Sequence, residues 1–89
     1  KTWSAYASES FNGQCLSISV SYDNPCGKSK AASFDVYYTR SEPFGDVEYF
    51  FTTKTVTIPP GSGTISGGSD CASNATSMYV SNPSQGGGC

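Results

Sequence analysis

The sequence predicts an all-β domain: a two-sheet antiparallel sandwich of six to seven short strands, stapled by disulfides. Three observations carry this. Strand-favouring Val, Ile, Thr, Tyr, Phe and Trp total 28 residues, against 18 of the good helix formers, and a single Leu leaves no material for an amphipathic helix face. Apolar residues alternate with polar ones at period two through several segments. Four cysteines stand in a chain with no histidine, a composition suited to a disulfide framework.

The elements follow in chain order. Thr2–Ala7 alternates with Trp3, Ala5 and Ala7 on one face, and ends before a break at Asn12-Gly13. Leu16, Ile18, Val20 and Tyr22 alternate with Ser17, Ser19 and Ser21, giving a half-buried strand with a serine face toward water. Asp23-Asn24-Pro25 ends it. Phe34, Val36 and Tyr38 alternate with Ser33, Asp35, Tyr37 and Thr39 in the next strand. Pro43-Phe44-Gly45-Asp46 turns the chain into a strand carrying Val47, Tyr49 and Phe51, with Glu48 and Phe50 opposite. Val56 and Ile58 continue the apolar signal on the other parity, so a hairpin turn or β-bulge is expected within Thr52–Thr55. Pro59-Pro60-Gly61 ends that segment. Thr64–Ser66 and Ser77–Ser81 are further strands; Gly67-Gly68-Ser69-Asp70 and Asn82-Pro83-Ser84 read as loops. Gly86-Gly87-Gly88 has the composition of a flexible linker, and a bridge at Cys89 would tie the 82–89 tail down. No internal repeat or second domain is visible, so residues 1–89 read as one domain.

Two disulfides are expected among Cys15, Cys26, Cys71 and Cys89. Zinc is the competing use, but no Cys-x-x-Cys pair exists. A straight strand from Cys15 to Tyr22 runs about 23 Å. The four residues on to Cys26 return at most about 14 Å. The remaining gap of roughly 9 Å exceeds the ~7 Å that a disulfide spans. Cys15 and Cys26 are therefore expected to bond the late cysteines from opposite ends of one strand. A bond between subunits is the rival, since Cys15 sits on the serine side and Cys89 is terminal. Disulfides point to an oxidising compartment, secreted or at the cell surface. A start at Lys1 rather than Met is expected of a chain whose leader has been removed or whose ends have been trimmed.

Charge and composition exclude several roles. With five Lys plus Arg and a net charge of −2, nucleic acid is not an expected partner. No apolar run approaches ~18 residues, so membrane insertion is not expected. The lack of histidine removes every His-based triad, general base and metal site. Asp46 and Glu48 share one strand face, but a glycosidase pair needs a cleft that a domain this small rarely forms. Serines are plentiful, yet Lys28 and Lys30 lie in no Ser-x-x-Lys frame. No enzyme activity and no cofactor are expected. Calcium is a better use of acids, with Asp23, Asn24 and Asp70 in turns, but no dense Asp-x-Asp loop is present.

Aromatics are in excess, at six Tyr, five Phe and one Trp. Tyr37, Phe50 and Tyr6 oppose the core parity of their strands. They are candidates for stacking on a glycan, for a partner hot spot, or for a subunit interface. Asn74-Ala75-Thr76 is a glycosylation sequon, whereas Asn82-Pro83-Ser84 is blocked by its proline. The first ten residues read either as the domain's own edge strand or as a donor strand that completes a neighbour's sheet. In the second case Trp3, Ala5, Tyr6 and Ala7 form the subunit interface, with Trp3 filling a pocket.

Thr55-Val56-Thr57-Ile58-Pro59-Pro60-Gly61-Ser62-Gly63-Thr64 resembles a segment of extracellular bacterial immunoglobulin-like modules, in which a strand often ends in Ile-Pro-x-Gly-Ser. The resemblance implies a non-enzymatic immunoglobulin-like sandwich in an adhesin, surface array or fibre. The expected function is a structural subunit of an extracellular homopolymer, a pilus-like filament built by strand exchange. The alternative is a secreted module binding carbohydrate or protein through exposed aromatics.

Overall fold

The computed structural model describes all residues, Lys1–Cys89. Strands account for 79% of the chain and no helix forms. The strands are β1 (Thr2–Phe11), β2 (Cys15–Asn24), β3 (Lys30–Glu42), β4 (Gly45–Ile58), β5 (Gly61–Cys71), β6 (Ala75–Ser81) and β7 (Ser84–Gly88). They build two antiparallel sheets, ordered β5-β2-β1-β7 and β4-β3-β6.

Alternation places the core. Ala5, Ala7, Leu16, Ile18 and Val20 line the inner face of the larger sheet. Ala32, Phe34, Val36, Ile58, Met78 and Val80 meet them from the smaller one. Burying a side chain such as Leu16 or Phe34 stabilises the fold by roughly 1.5–3 kcal/mol. The opposite face of the larger sheet is polar in register: Ser10, Ser17 and Ser69 form one rung across β1, β2 and β5, and Ser8, Ser19 and Ser66 the next.

Side chains close the turns. Asn12 Oδ1 accepts from the amides of Gln14 at 3.1 Å and Cys15 at 2.8 Å, shaping the β1–β2 turn. Asn24, fully buried, donates from Nδ2 to the carbonyls of Lys28 (2.8 Å), Ile58 (3.2 Å) and Pro59 (3.1 Å), and its Oδ1 accepts from Cys26 N at 3.1 Å. One amide thereby holds the β2–β3 loop against the end of β4.

The disulfides are Cys15–Cys71 and Cys26–Cys89. As expected, Cys15 does not bond Cys26, and the two lie at and just beyond opposite ends of β2. No cysteine is free for a bond between subunits.

Four expectations need correction. The parity change in β4 occurs at Phe51, ahead of Thr52–Thr55. Val36 pairs Thr52 and Tyr37 pairs Phe50, so Phe51 is the extra residue of a bulge within one continuous strand. Gly67–Asp70 is part of β5 rather than a loop. Gly67 is a bulge residue opposite Ile18, where a Cβ would lie 2.5 Å from Ile18 Cγ2. Only a residue without a side chain fits there. Gly86–Gly88 is strand, not linker, because β7 pairs β1 and Cys26 anchors its end.

The fourth correction concerns Thr2–Ala7. This segment is not an edge strand: β1 lies between β2 and β7. Ala5 and Ala7 enter the chain's own core, and Trp3 packs on that core opposite Gly87. The side-chain-free tail lets the indole lie where a neighbour's groove had been expected.

Candidate functional site

The β3–β4 hairpin outruns the sandwich core. No residue from Tyr37 to Thr57 is fully buried. The molecule is correspondingly long, with extents of 51 × 20 × 13 Å. At this end β3 and β4 form an arm, joined by the two-residue turn Pro43–Phe44 and backed in part by β6.

The arm is rich in aromatics. Tyr37, Phe50 and Tyr79 are direct register partners across β4, β3 and β6. Their parity turns them to the outer face, since the neighbours Val36 and Val80 point inward. Tyr37 packs edge-on against Phe50, with ring centroids 5.6 Å apart, and stacks with Tyr79 at 5.7 Å and 15° between planes. The other face carries a second trio: Tyr38 stacks with Tyr49 at 5.2 Å and meets Phe51 edge-on at 5.9 Å. Phe44 projects from the tip, 81% exposed. Each aromatic pair adds about 0.5–1.5 kcal/mol beyond burial of area.

Acids brace the rings. The Tyr49 hydroxyl donates to Glu42 Oε1 at 2.9 Å, and this bond holds the phenol proton, raising the Tyr49 pKa. Hydrogen bonding to Glu48, helped by desolvation and the carboxylate charge, pushes the Tyr79 pKa up to about 12. Asp35 accepts from Thr53 Oγ1 at 2.8 Å on the same outer face.

Tyr37 and Phe50, singled out by parity, thus come together. Tyr79 completes their row and was missed, although its parity opposite Met78 and Val80 carried the signal. Tyr6 lies apart on the serine face, 52% exposed, beside a shallow depression of ≈ 290 Å³ bordered by Ser4, Ser21, Tyr22 and Gln85. Trp3, Ala5 and Ala7 are interior to their own sheet, as described. Asn74 is exposed in the β5–β6 turn at φ 60°, and its sequon partner Thr76 donates to the Thr39 carbonyl at 3.2 Å.

The acids proposed for calcium do not converge. Asp23 accepts from Ser62 Oγ at 2.8 Å, Asn24 is occupied by the β2–β3 loop, and Asp70 lies 3.2 Å from Lys54 Nζ. Asp46 and Glu48 stand on the open outer face of β4, with no cleft between them. No group of three or more His, Cys, Asp or Glu is placed to hold a metal ion.

No family model, curated protein or solved structure matches this chain.

Proposed function

We propose that the chain is a non-enzymatic structural subunit of a secreted or cell-surface assembly, joined to its neighbours by the aromatic β3–β4 arm. The carrying observation is the gathering of rings outside the core: Tyr37, Tyr38, Phe44, Tyr49, Phe50 and Phe51 on the arm, with Tyr79 beside them. Phe44, Phe50 and Phe51 are 81%, 55% and 36% exposed. Exposed apolar patches of this kind mark interaction surfaces, and aromatics are the commonest hot-spot residues. The two intrachain disulfides suit an oxidising compartment. A net charge of −2 gives little repulsion between copies.

This reading keeps the assembly and replaces its joint. Donating β1 would break its pairing with both β2 and β7, and β7 is itself fixed by Cys26–Cys89.

The glycan-binding alternative is less well supported by ring geometry. Sugars stack on ring faces open to solvent, whereas Tyr37 and Tyr79 turn their faces toward each other. Light scattering over a concentration series separates the two readings. Assembly predicts an average mass that climbs above the single-chain 9.3 kDa. A strictly monomeric chain retained on a polysaccharide matrix would favour the binding module.

A further inference from the structure

The four sheet edges are not equivalent. β7 is five residues long and mostly glycine. β5 is bulged at Gly67, and the Lys54–Asp70 pair straps it to β4 across the side of the sandwich. At β6, the Val80 amide donates to Glu9 Oε1 at 3.0 Å, so a carboxylate from the other sheet occupies that edge. β4 differs from all three. It is the longest strand, at 14 residues, and pairs only with β3. Between Gly45 and Thr57 no side chain bonds its backbone. It contains no proline, its one cation, Lys54, is turned inward onto Asp70, and its outward charges, Asp46 and Glu48, stand only in its first half. Proteins that remain monomeric usually guard such an edge with charge, proline or a covering segment.

We propose that the free edge of β4 pairs antiparallel with β4 of a second copy of this chain, joining two three-stranded sheets into one six-stranded sheet. This rests on the assembly reading above and specifies its contact.

Charge and face pattern make β4 compatible with a second copy of itself in one direction only. The first half of β4 carries Asp46 and Glu48; the second half carries Thr53, Thr55 and Thr57. A parallel neighbour would set Glu48 against Glu48, and like charges directly opposite are destabilising. An antiparallel copy sets acids against threonines. The bulge at Phe51 makes the faces agree. Outward residues are even before it (Asp46, Glu48, Phe50) and odd after it (Thr53, Thr55, Thr57). Registers centred near Phe51 therefore put Glu48 opposite Thr53 or Thr55, and Asp46 opposite Thr55 or Thr57, always on the same face. In these registers the row Tyr79, Tyr37, Phe50, which otherwise stops at the open edge, ends against the partner's Phe51 or Thr53. Such a contact is isologous and closes on a two-fold axis.

The test introduces charge of either sign at Thr55, an exposed residue whose β3 partner is the neutral Ser33. Thr55→Glu places an acid against the partner's Asp46 or Glu48 twice per dimer, and is expected to weaken association roughly tenfold in sedimentation equilibrium. Thr55→Lys is expected to preserve or tighten it. Combining Thr55→Glu with Asp46→Lys and Glu48→Lys should restore it. Thermal melts of each variant check that the fold is intact. Association that persists but ignores the sign of the charge would overturn the β4 contact while leaving assembly through the arm in place. A wild-type chain that stays monomeric would overturn both.

Discussion

Gly86 passes so close to Trp3 that a Cβ placed on it would lie 2.6 Å from the Trp3 carbonyl oxygen. Gly86 is thus a packing requirement of the pairing of β7 with β1. That pairing seals the strand that the sequence offered as a donor.

Gly86→Ala is expected to push β7 away from β1 and destabilise the domain by about 1–3 kcal/mol, the usual range for overpacking. Gly88, whose added Cβ would meet nothing within 4 Å, should tolerate the same change far better. Paired denaturant melts of the two variants check this contrast.

Each disulfide closes a long loop, with sequence separations of 56 and 63 residues. Replacing either pair by serine is expected to cost about 2–4 kcal/mol. The two should differ locally. Loss of Cys26–Cys89 frees the end of β7 and should speed amide exchange there, whereas loss of Cys15–Cys71 should loosen the β2–β5 end.

Asn24 is the sole buried polar side chain among the core residues, and four hydrogen bonds converge on it. Asn24→Ala leaves those backbone groups without their partner and should destabilise by about 1–3 kcal/mol. Asn24→Asp should do worse at neutral pH, because a carboxylate then faces three carbonyl oxygens. Chemical denaturation of both variants at pH 7 decides it.

Tyr79 holds its proton more tightly in the folded chain, with a pKa of about 12, than its ordinary value of 10.0. Its folded pKa is raised, so its contribution is fully present below pH 10 and is lost as pH climbs through about 12. Stability should fall across that window. Absorbance titration should show a late-ionising phenol that disappears in Tyr79→Phe and shifts down in Glu48→Ala.

Much of the fold was legible because period-two alternation and core burial report the same face. Leu16, Ile18 and Val20 on β2, and Phe34 and Val36 on β3, are buried as their parity required. The glycines were misread. Gly67 and Gly86 look like loop and linker by composition, yet each is selected by one close neighbour, Ile18 or the Trp3 carbonyl, that only the folded pairing brings near. The bulge was legible as a parity change, but its position depended on which residue β3 leaves unpaired. Only a part of the aromatic site was legible. Tyr37 and Phe50 announced themselves by parity, while Tyr38, Tyr49 and Phe51 carried inward parity. Their partial exposure follows from the hairpin outrunning the core, a tertiary fact with no local signal.

Hydrogen–deuterium exchange of the oxidised chain, compared between dilute and concentrated solution, tests most directly where copies meet. Protection gained on concentration is expected on the arm, Tyr37–Phe51, and along β4, while Thr2–Ala7 is unchanged because both its edges are already paired. Protection gained at Thr2–Ala7, or none anywhere on the arm at concentrations where the mass has risen, would contradict assembly through the arm.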